Sequence, residues 1–205
     1  MSRHPLESSH RSELRGFTLI ELAVTLTLFG MLMALGLPAF LAWTRNTQVR
    51  TVAEALQNGL RTAQAEAVRQ NRPVVLAFTA SSTSNAASAP WTAVAGGVNW
   101  WTQTVPQFTE TSGQFIAGGS LGDVASGVTI GNGPAAVCFN SNGRVAAPAS
   151  GTGVTGATCT ATGTVTFNIN QTGADRNLVV TLSVGGQVRM CDPKRTLSAT
   201  TPDGC

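Results

Sequence analysis

The chain has 205 residues, of which only 11% are charged, and a formal net charge of +3. So weak a basic excess gives no electrostatic footprint for nucleic acid by itself, and so few charges argue against the surface of a cytosolic enzyme. The length leaves room for one domain with a real core beyond a membrane segment.

Residues 1–16 carry Arg3, Arg11 and Arg15 with Glu7 and Glu13, and they hold both histidines, His4 and His10. Gly16 joins this charged leader to an apolar run in which Glu21 is the single carboxylate; from Leu22 to Thr44 no residue is charged. About 23 residues at roughly 1.5 Å each can cross a hydrocarbon core of about 30 Å. Glu21 at the edge of that span costs on the order of 1 kcal/mol, rising to about 3 at the bilayer centre, so it either snorkels to the surface or has a partner. A cleaved secretory signal fits poorly, because its apolar core runs about 7–15 residues and ends in a small-residue cleavage site.

The run Gly16-Phe17-Thr18-Leu19-Ile20-Glu21 resembles the class III signal of type IV pilins and of the pseudopilins of type II secretion. The resemblance implies that a prepilin peptidase cuts between Gly16 and Phe17, that Phe17 is methylated, and that Glu21 pairs with the N-terminal amine of a neighbouring subunit. Pro38 also falls where pilin helices commonly carry a proline. Loss of the leader takes three of thirteen basic and two of ten acidic residues, leaving a formal +2. The working protein then has no histidine.

Beyond Trp43 the chain remains helical and becomes amphipathic. Val49, Val52, Leu56, Leu60, Ala63, Ala67 and Val68 recur at spacings of three or four and make one apolar stripe, while Glu54, Arg61 and Arg69 form a solvated face. Residues 17 to about 71 thus read as one helix, and Gly30, Gly36 and Pro38 are its weak points, with a kink or partial melting expected near residues 36–40. Pro73 stops the helix at Arg72.

Val74–Phe78 reads as a buried strand and Ser81–Pro90 as a loop. Further strands are expected at Trp91–Ala95, Asn99–Val105, Gln114–Ala117, Val128–Ile130, Ala136–Phe139, Thr164–Asn168, Asn177–Val184 and Gln187–Met190. Asn142-Gly143 and Gly185-Gly186 are the clearest hairpin turns. Short strands between glycine-rich turns, laid over the helix stripe, give an α+β fold. Trp91, Trp100, Trp101 and Phe108 are expected to fill a core rather than to form a binding surface, although Trp100 and Trp101, being adjacent on a strand, must point to opposite faces.

Three stretches narrow the resemblance to the GspH/FimT family. They are Ala65–Val74 at the end of the helix, Val137–Arg144 as an F-x-x-x-G-R hairpin, and Gly186–Pro193 near the C-terminus. The resemblance implies a pilin-like fold, a long N-terminal helix packed on antiparallel sheet, and a minor pilin with an assembly or priming role. A pseudopilin of a type II secretion system is the alternative. FimT members are linked to DNA uptake through a glycine-arginine-x-arginine element. Here Gln187 replaces its first arginine, Arg189 is kept, and Lys194 and Arg195 follow. These three cations either contact the phosphates of double-stranded DNA or form a solvated terminal cluster.

Cys138, Cys159, Cys191 and Cys205 all follow the span, which places the C-terminal domain in an oxidising periplasm, where the count of arginines on either side of the span is a tie. Four cysteines allow more than one connectivity, and Cys138–Cys159 with Cys191–Cys205 is expected because each closes a Gly/Thr-rich segment. Nothing suggests an enzyme or a cofactor: the cysteines lack CxxC spacing, Ser183-Val184-Gly185 is no nucleophile elbow, and Asp123, Asp175 and Asp192 read as turn formers. The expected organisation is a cleaved leader (1–16), a transmembrane and assembly segment (17–44), an amphipathic helix half (45–72) and a periplasmic β-rich domain (73–205). The protein is expected in the inner membrane and then in a pilus or pseudopilus, with the prepilin peptidase and other pilin or pseudopilin subunits as partners.

Overall fold

The computed structural model describes residues 16–80, 91–149, 151–159 and 163–205. Leader residues 1–15 and the loop Ser81–Pro90 lie outside the described residues. The chain divides into two units at Phe40/Leu41. Helix α1 (Leu19–Gln70) is helical through Gly36 and Pro38, so the melting expected there is not seen.

In the unit Leu41–Cys205, α1 is followed by β1 (Val74–Thr79), β2 (Asn99–Thr104), β3 (Phe115–Ser120), a four-residue helix α2 (Leu121–Val124), β4 (Val128–Gly131), β5 (Ala136–Phe139), β6 (Val165–Gln171), β7 (Leu178–Leu182) and β8 (Val188–Cys191). The strands form two four-stranded antiparallel sheets, ordered β3-β2-β1-β5 and β4-β6-β7-β8. Gly143 and Gly186 take positive φ in the turns where the sequence places hairpins, as only a residue without Cβ does at little cost. Ser120 caps α2 by accepting from the Asp123 N–H at 3.1 Å, a short helix that its Ser-x-x-Asp spacing signals.

One core lies between α1 and both sheets. Val49, Val52, Leu56, Leu60, Ala63 and Ala67 bury the helix stripe against Val74, Leu76 and Phe78 of β1 and against Phe167, Ile169, Val180 and Leu182 of the second sheet. The rings of Phe78 and Phe167, with centroids 5.3 Å apart, tie the two sheets together. Val68, expected in the stripe, is exposed: it follows Ala67 by about 100° of helix rotation, and the sheets cover only the Ala67 side.

The first sheet is covered on both faces. Alternate residues Val75 and Ala77 of β1 point into a second, smaller core with Trp101, Ala93, Ala136 and Cys138, which explains why β1 is an unbroken apolar run. That outer core is roofed by residues 91–95 and by the loop carrying Cys159. The segment Trp91–Ala95 is not the strand its sequence suggests. Its backbone is spent on other segments, Ala93 N–H on the Thr155 carbonyl and Val94 N–H on that of Phe78, both at 2.8 Å, and only the single bridge Thr92–Thr155 forms. The second sheet has one buried face, and β7 alternates buried and half-buried accordingly.

Trp100 and Trp101 take opposite faces, and neither is free in solvent. Trp101 pairs with Trp91 in the outer core, with ring centroids 5.1 Å apart. Trp100 packs against the main core over Gly59 of α1 and Gly119 of β3, where an added Cβ would meet its ring at about 3 Å. Phe108 contradicts the expectation of a core role: it is wholly exposed, with φ +55°.

The two faces of the second helix half predict different responses. Leu60→Ala should lower the unfolding free energy by about 2–5 kcal/mol, whereas Val68→Ala should change it by less than about 0.5. Denaturant unfolding of both variants checks this, and equal losses would contradict the covered face described here.

Candidate functional site

At the N-terminal junction, Gly16, Phe17 and Thr18 precede the helix and are exposed. Thr18 closes the first turn. Its Oγ1 accepts from the Glu21 N–H at 3.3 Å, and its carbonyl accepts from the Leu22 N–H at 3.1 Å. The Thr18-x-x-Glu21 spacing is that of a capping box, a role for Thr18 that the sequence reading missed although the motif was visible. Glu21 thus stands in the first helical turn, where the helix dipole favours an anion. Its carboxylate has no ion-pair partner among the described residues.

Every residue from Gly16 to Leu41 is exposed. The hydroxyls of Thr25 and Thr27 donate to the carbonyls of Leu22 and Val24 at 2.9 Å, so the polar side chains inside the run are satisfied by the helix itself. The exposed surface is therefore apolar in effect as well as in composition.

The three C-terminal cations come together with partners of their own. Arg189 on β8 donates to the carbonyls of Pro202 at 3.0 Å and Gly204 at 2.7 Å. Lys194 donates to the Asp175 carbonyl at 2.6 Å, and Arg195 pairs with Asp203 at 3.0 Å. Arg176, on the β6–β7 turn, bridges the buried Asp192 at 2.8 Å and Asp203 at 2.6 Å. Asp192 also accepts from the Lys194 N–H, the turn-forming role expected of it, but its bridge to Arg176 makes it more than a turn residue. Arg176 and Asp203 were not singled out in the sequence, because no local spacing announces a pairing across 27 residues.

Burial pushes the Asp203 carboxyl up, but the hydrogen bonds and charge of Arg195, with the hydrogen bond from Arg176, more than offset it and hold it below the usual carboxylate range. Cys191–Cys205 closes the segment covalently, and Cys138–Cys159 pins the loop that roofs the outer core. Closing loops of about 15–20 residues in the unfolded chain is worth roughly 3 kcal/mol each by chain-entropy reasoning. The result is a clasp: the last four residues are held to β8 by a disulfide, by Arg189 and by the Arg176–Asp203–Arg195 cluster. Next to it, a cleft of about 550 Å³ opens between Trp43, Asn46 and Arg50 of α1 and Met190 of β8, with Arg176 and Asp203 on its wall.

Residues 52–186 match the protein family described as type II transport protein GspH. The chain belongs to the GspH family. Residues 14–37 match the prokaryotic N-terminal methylation motif, which spans the Gly16–Phe17 junction and implies processing by a prepilin peptidase. The protein accordingly joins a GspH-family domain to an N-terminal methylation signal. Among solved structures, it is similar to the type IV minor pilin FimU of Pseudomonas aeruginosa in two crystal forms. These are 16% and 17% identical, with TM-scores of 0.45 and 0.47, and the match covers 71% and 74% of this chain and 97% of each FimU chain. It is also similar to GspH of E. coli, at 13% identity and a TM-score of 0.41, covering 75% of this chain and 94% of that one. No curated protein matches the chain.

A depressed carboxyl pKa stabilises the fold fully above the unfolded-state value, here about 3.8, and that stabilisation is lost as pH falls through the lower folded-state value. Asp203→Asn should therefore lower the melting temperature at pH 7. The gap to the parent should narrow as pH falls below about 4. A gap independent of pH would show that the carboxylate charge does not hold the clasp.

Proposed function

We propose that this GspH-family protein is a minor subunit of a type IV pilus. It is cut between Gly16 and Phe17 and methylated at Phe17, then held in the inner membrane by residues 17–44 with residues 73–205 in the periplasm. It enters and helps to prime the fibre when its apolar helix exchanges lipid for neighbouring helices. The single observation that carries this reading is the helix surface: every residue from Gly16 to Leu41 faces outward, and none from Leu22 to Thr44 is charged. Burial of each large apolar side chain is worth about 1.5–3 kcal/mol, so covering this surface outweighs the total stability of an ordinary domain, about 5–15 kcal/mol. Either lipid or other helices must cover it.

Glu21 supplies direction to that exchange. A carboxylate in the first turn of an apolar helix is costly in lipid, and a neighbour's free N-terminal amine, created by cleavage after Gly16, removes the cost. The role is structural, with no catalytic step assigned to any side chain. The match of residues 52–186 to type II transport protein GspH supports a second machine, the pseudopilus of a type II secretion system, which uses the same helix and the same carboxylate.

Arg189, Lys194 and Arg195 serve the C-terminal clasp in this reading. Arg189 and Lys194 spend donors on the carbonyls of Pro202, Gly204 and Asp175, and Arg195 pairs with the carboxylate of Asp203, so the clasp is the role their contacts support; contact with DNA would draw on the donors that these bonds leave.

Glu21→Ala should leave the membrane level and processing of the subunit intact and reduce its recovery in sheared fibres by tenfold or more. Immunoblots of membrane and fibre fractions measure both. Unchanged recovery would remove Glu21 from assembly.

A further inference from the structure

We propose that Phe108 is the anchor by which the β domain grips a neighbouring subunit, its ring entering an apolar socket on that subunit. The proposal rests on the assembly reading above.

Phe108 carries two costs at once. Its relative exposure of 101% exceeds that of every other large apolar residue among the described ones, Phe17 and Leu19 included. Its φ of +55° lies in the left-handed region, which a β-carbon disfavours and which ordinarily takes glycine or asparagine. Among the described residues nothing repays either cost, since the ring belongs to neither core.

The turn is nevertheless held firmly. Pro106 precedes it, the Glu110 N–H donates to the Gln107 carbonyl at 3.0 Å, and the Gln107 N–H donates to the Glu110 carboxylate at 3.0 Å. Arg72 at the end of α1 pairs with that carboxylate and donates to the Val105 carbonyl at 3.1 Å, and the Val105 N–H bonds the Pro73 carbonyl at 2.8 Å. Arg72, then the Gln107 N–H, hold the Glu110 carboxyl below the usual range, so the brace stays ionised near neutral pH. A rigid turn that displays an aromatic ring in a strained conformation has the properties of a binding hot spot, which needs a large apolar anchor and little ordering on contact.

The occupant follows from area. One aromatic ring buries about 150–250 Å². The cleft beside it, about 300 Å³ between Pro73, Gln107, Pro148 and Ala149, adds a small apolar floor. A stable free-standing interface needs about 1,000 Å² or more. Phe108 is therefore too small to recruit a partner from solution, and it suits one already tethered. The subunits brought alongside by the apolar helix are in that position, because tethering turns a weak contact into an intramolecular one.

The test is made in cells that assemble the fibre, with p-benzoylphenylalanine replacing Phe108 in the full chain. Irradiation should give an adduct with another subunit that carries an N-terminal methylation signal, identified by mass spectrometry. The same photoprobe at the exposed Thr172, on the β6–β7 turn, should not give that adduct. In parallel, Phe108→Asn, which suits a left-handed φ, should keep or raise the melting temperature and lower recovery in the fibre by threefold or more. A fibre that contains the probed chain but yields no adduct, or one only with lipid or with a protein lacking that signal, overturns the proposal. So does a Phe108→Asn chain that melts earlier and assembles normally. Absence of the unsubstituted chain from the fibre contradicts the assembly reading itself.

Discussion

Contact between the apolar N-terminal helix and whatever covers it governs the behaviour of this chain. Residues 16–41 are all exposed, and Thr25 and Thr27 satisfy their hydroxyls on the helix backbone, so apart from Glu21 the segment asks its surroundings for apolar area. A bilayer and a bundle of like helices offer nearly the same solvent. In the assembly proposed above, that near-equality lets a subunit pass from one to the other without a large energy source. It also means that direction must come from a polar group, and Glu21 is the only ionisable side chain in the span's first turn.

The β domain is built so that the covered half of the same helix cannot drift. Its stripe from Val49 to Ala67 is the floor of the main core, and β1, buried on both faces, locks to it on one side and to the Trp91–Trp101 layer on the other. Where the sequence is too rich in glycine and threonine to bury much, covalent and ionic closures take over: Cys138–Cys159 over the outer core, and Cys191–Cys205 with Arg176, Asp203 and Arg195 at the C-terminus. The cations that resemble a nucleic-acid element thus find a use within the subunit.

What was legible in the sequence was what periodicity and turn chemistry encode locally. The helix stripe, the buried β1, the antiparallel strands and the Gly143 and Gly186 turns all follow from spacing within a few residues. The departures have a common cause, competition from distant segments. Trp91–Ala95 looks like a strand, but its donors go to Thr155 and Phe78. Val68 has the right spacing, but the sheets do not reach it. Phe108 reads as core by residue type, until Pro106 and the Arg72–Glu110 brace turn it outward. At the candidate site, the Gly16-to-Glu21 junction was visible as a motif, whereas the partners of Arg189 and Arg195 depend on a C-terminal return that no short window contains.

The central claim is that the working protein begins at Phe17 and acts through the helix that follows. Intact-mass and N-terminal peptide analysis of the chain taken from sheared fibres tests it most directly. The account predicts a polypeptide that starts at Phe17 with a methylated amine and retains both disulfides. A chain that starts at Met1, or one trimmed beyond the apolar run, would contradict it.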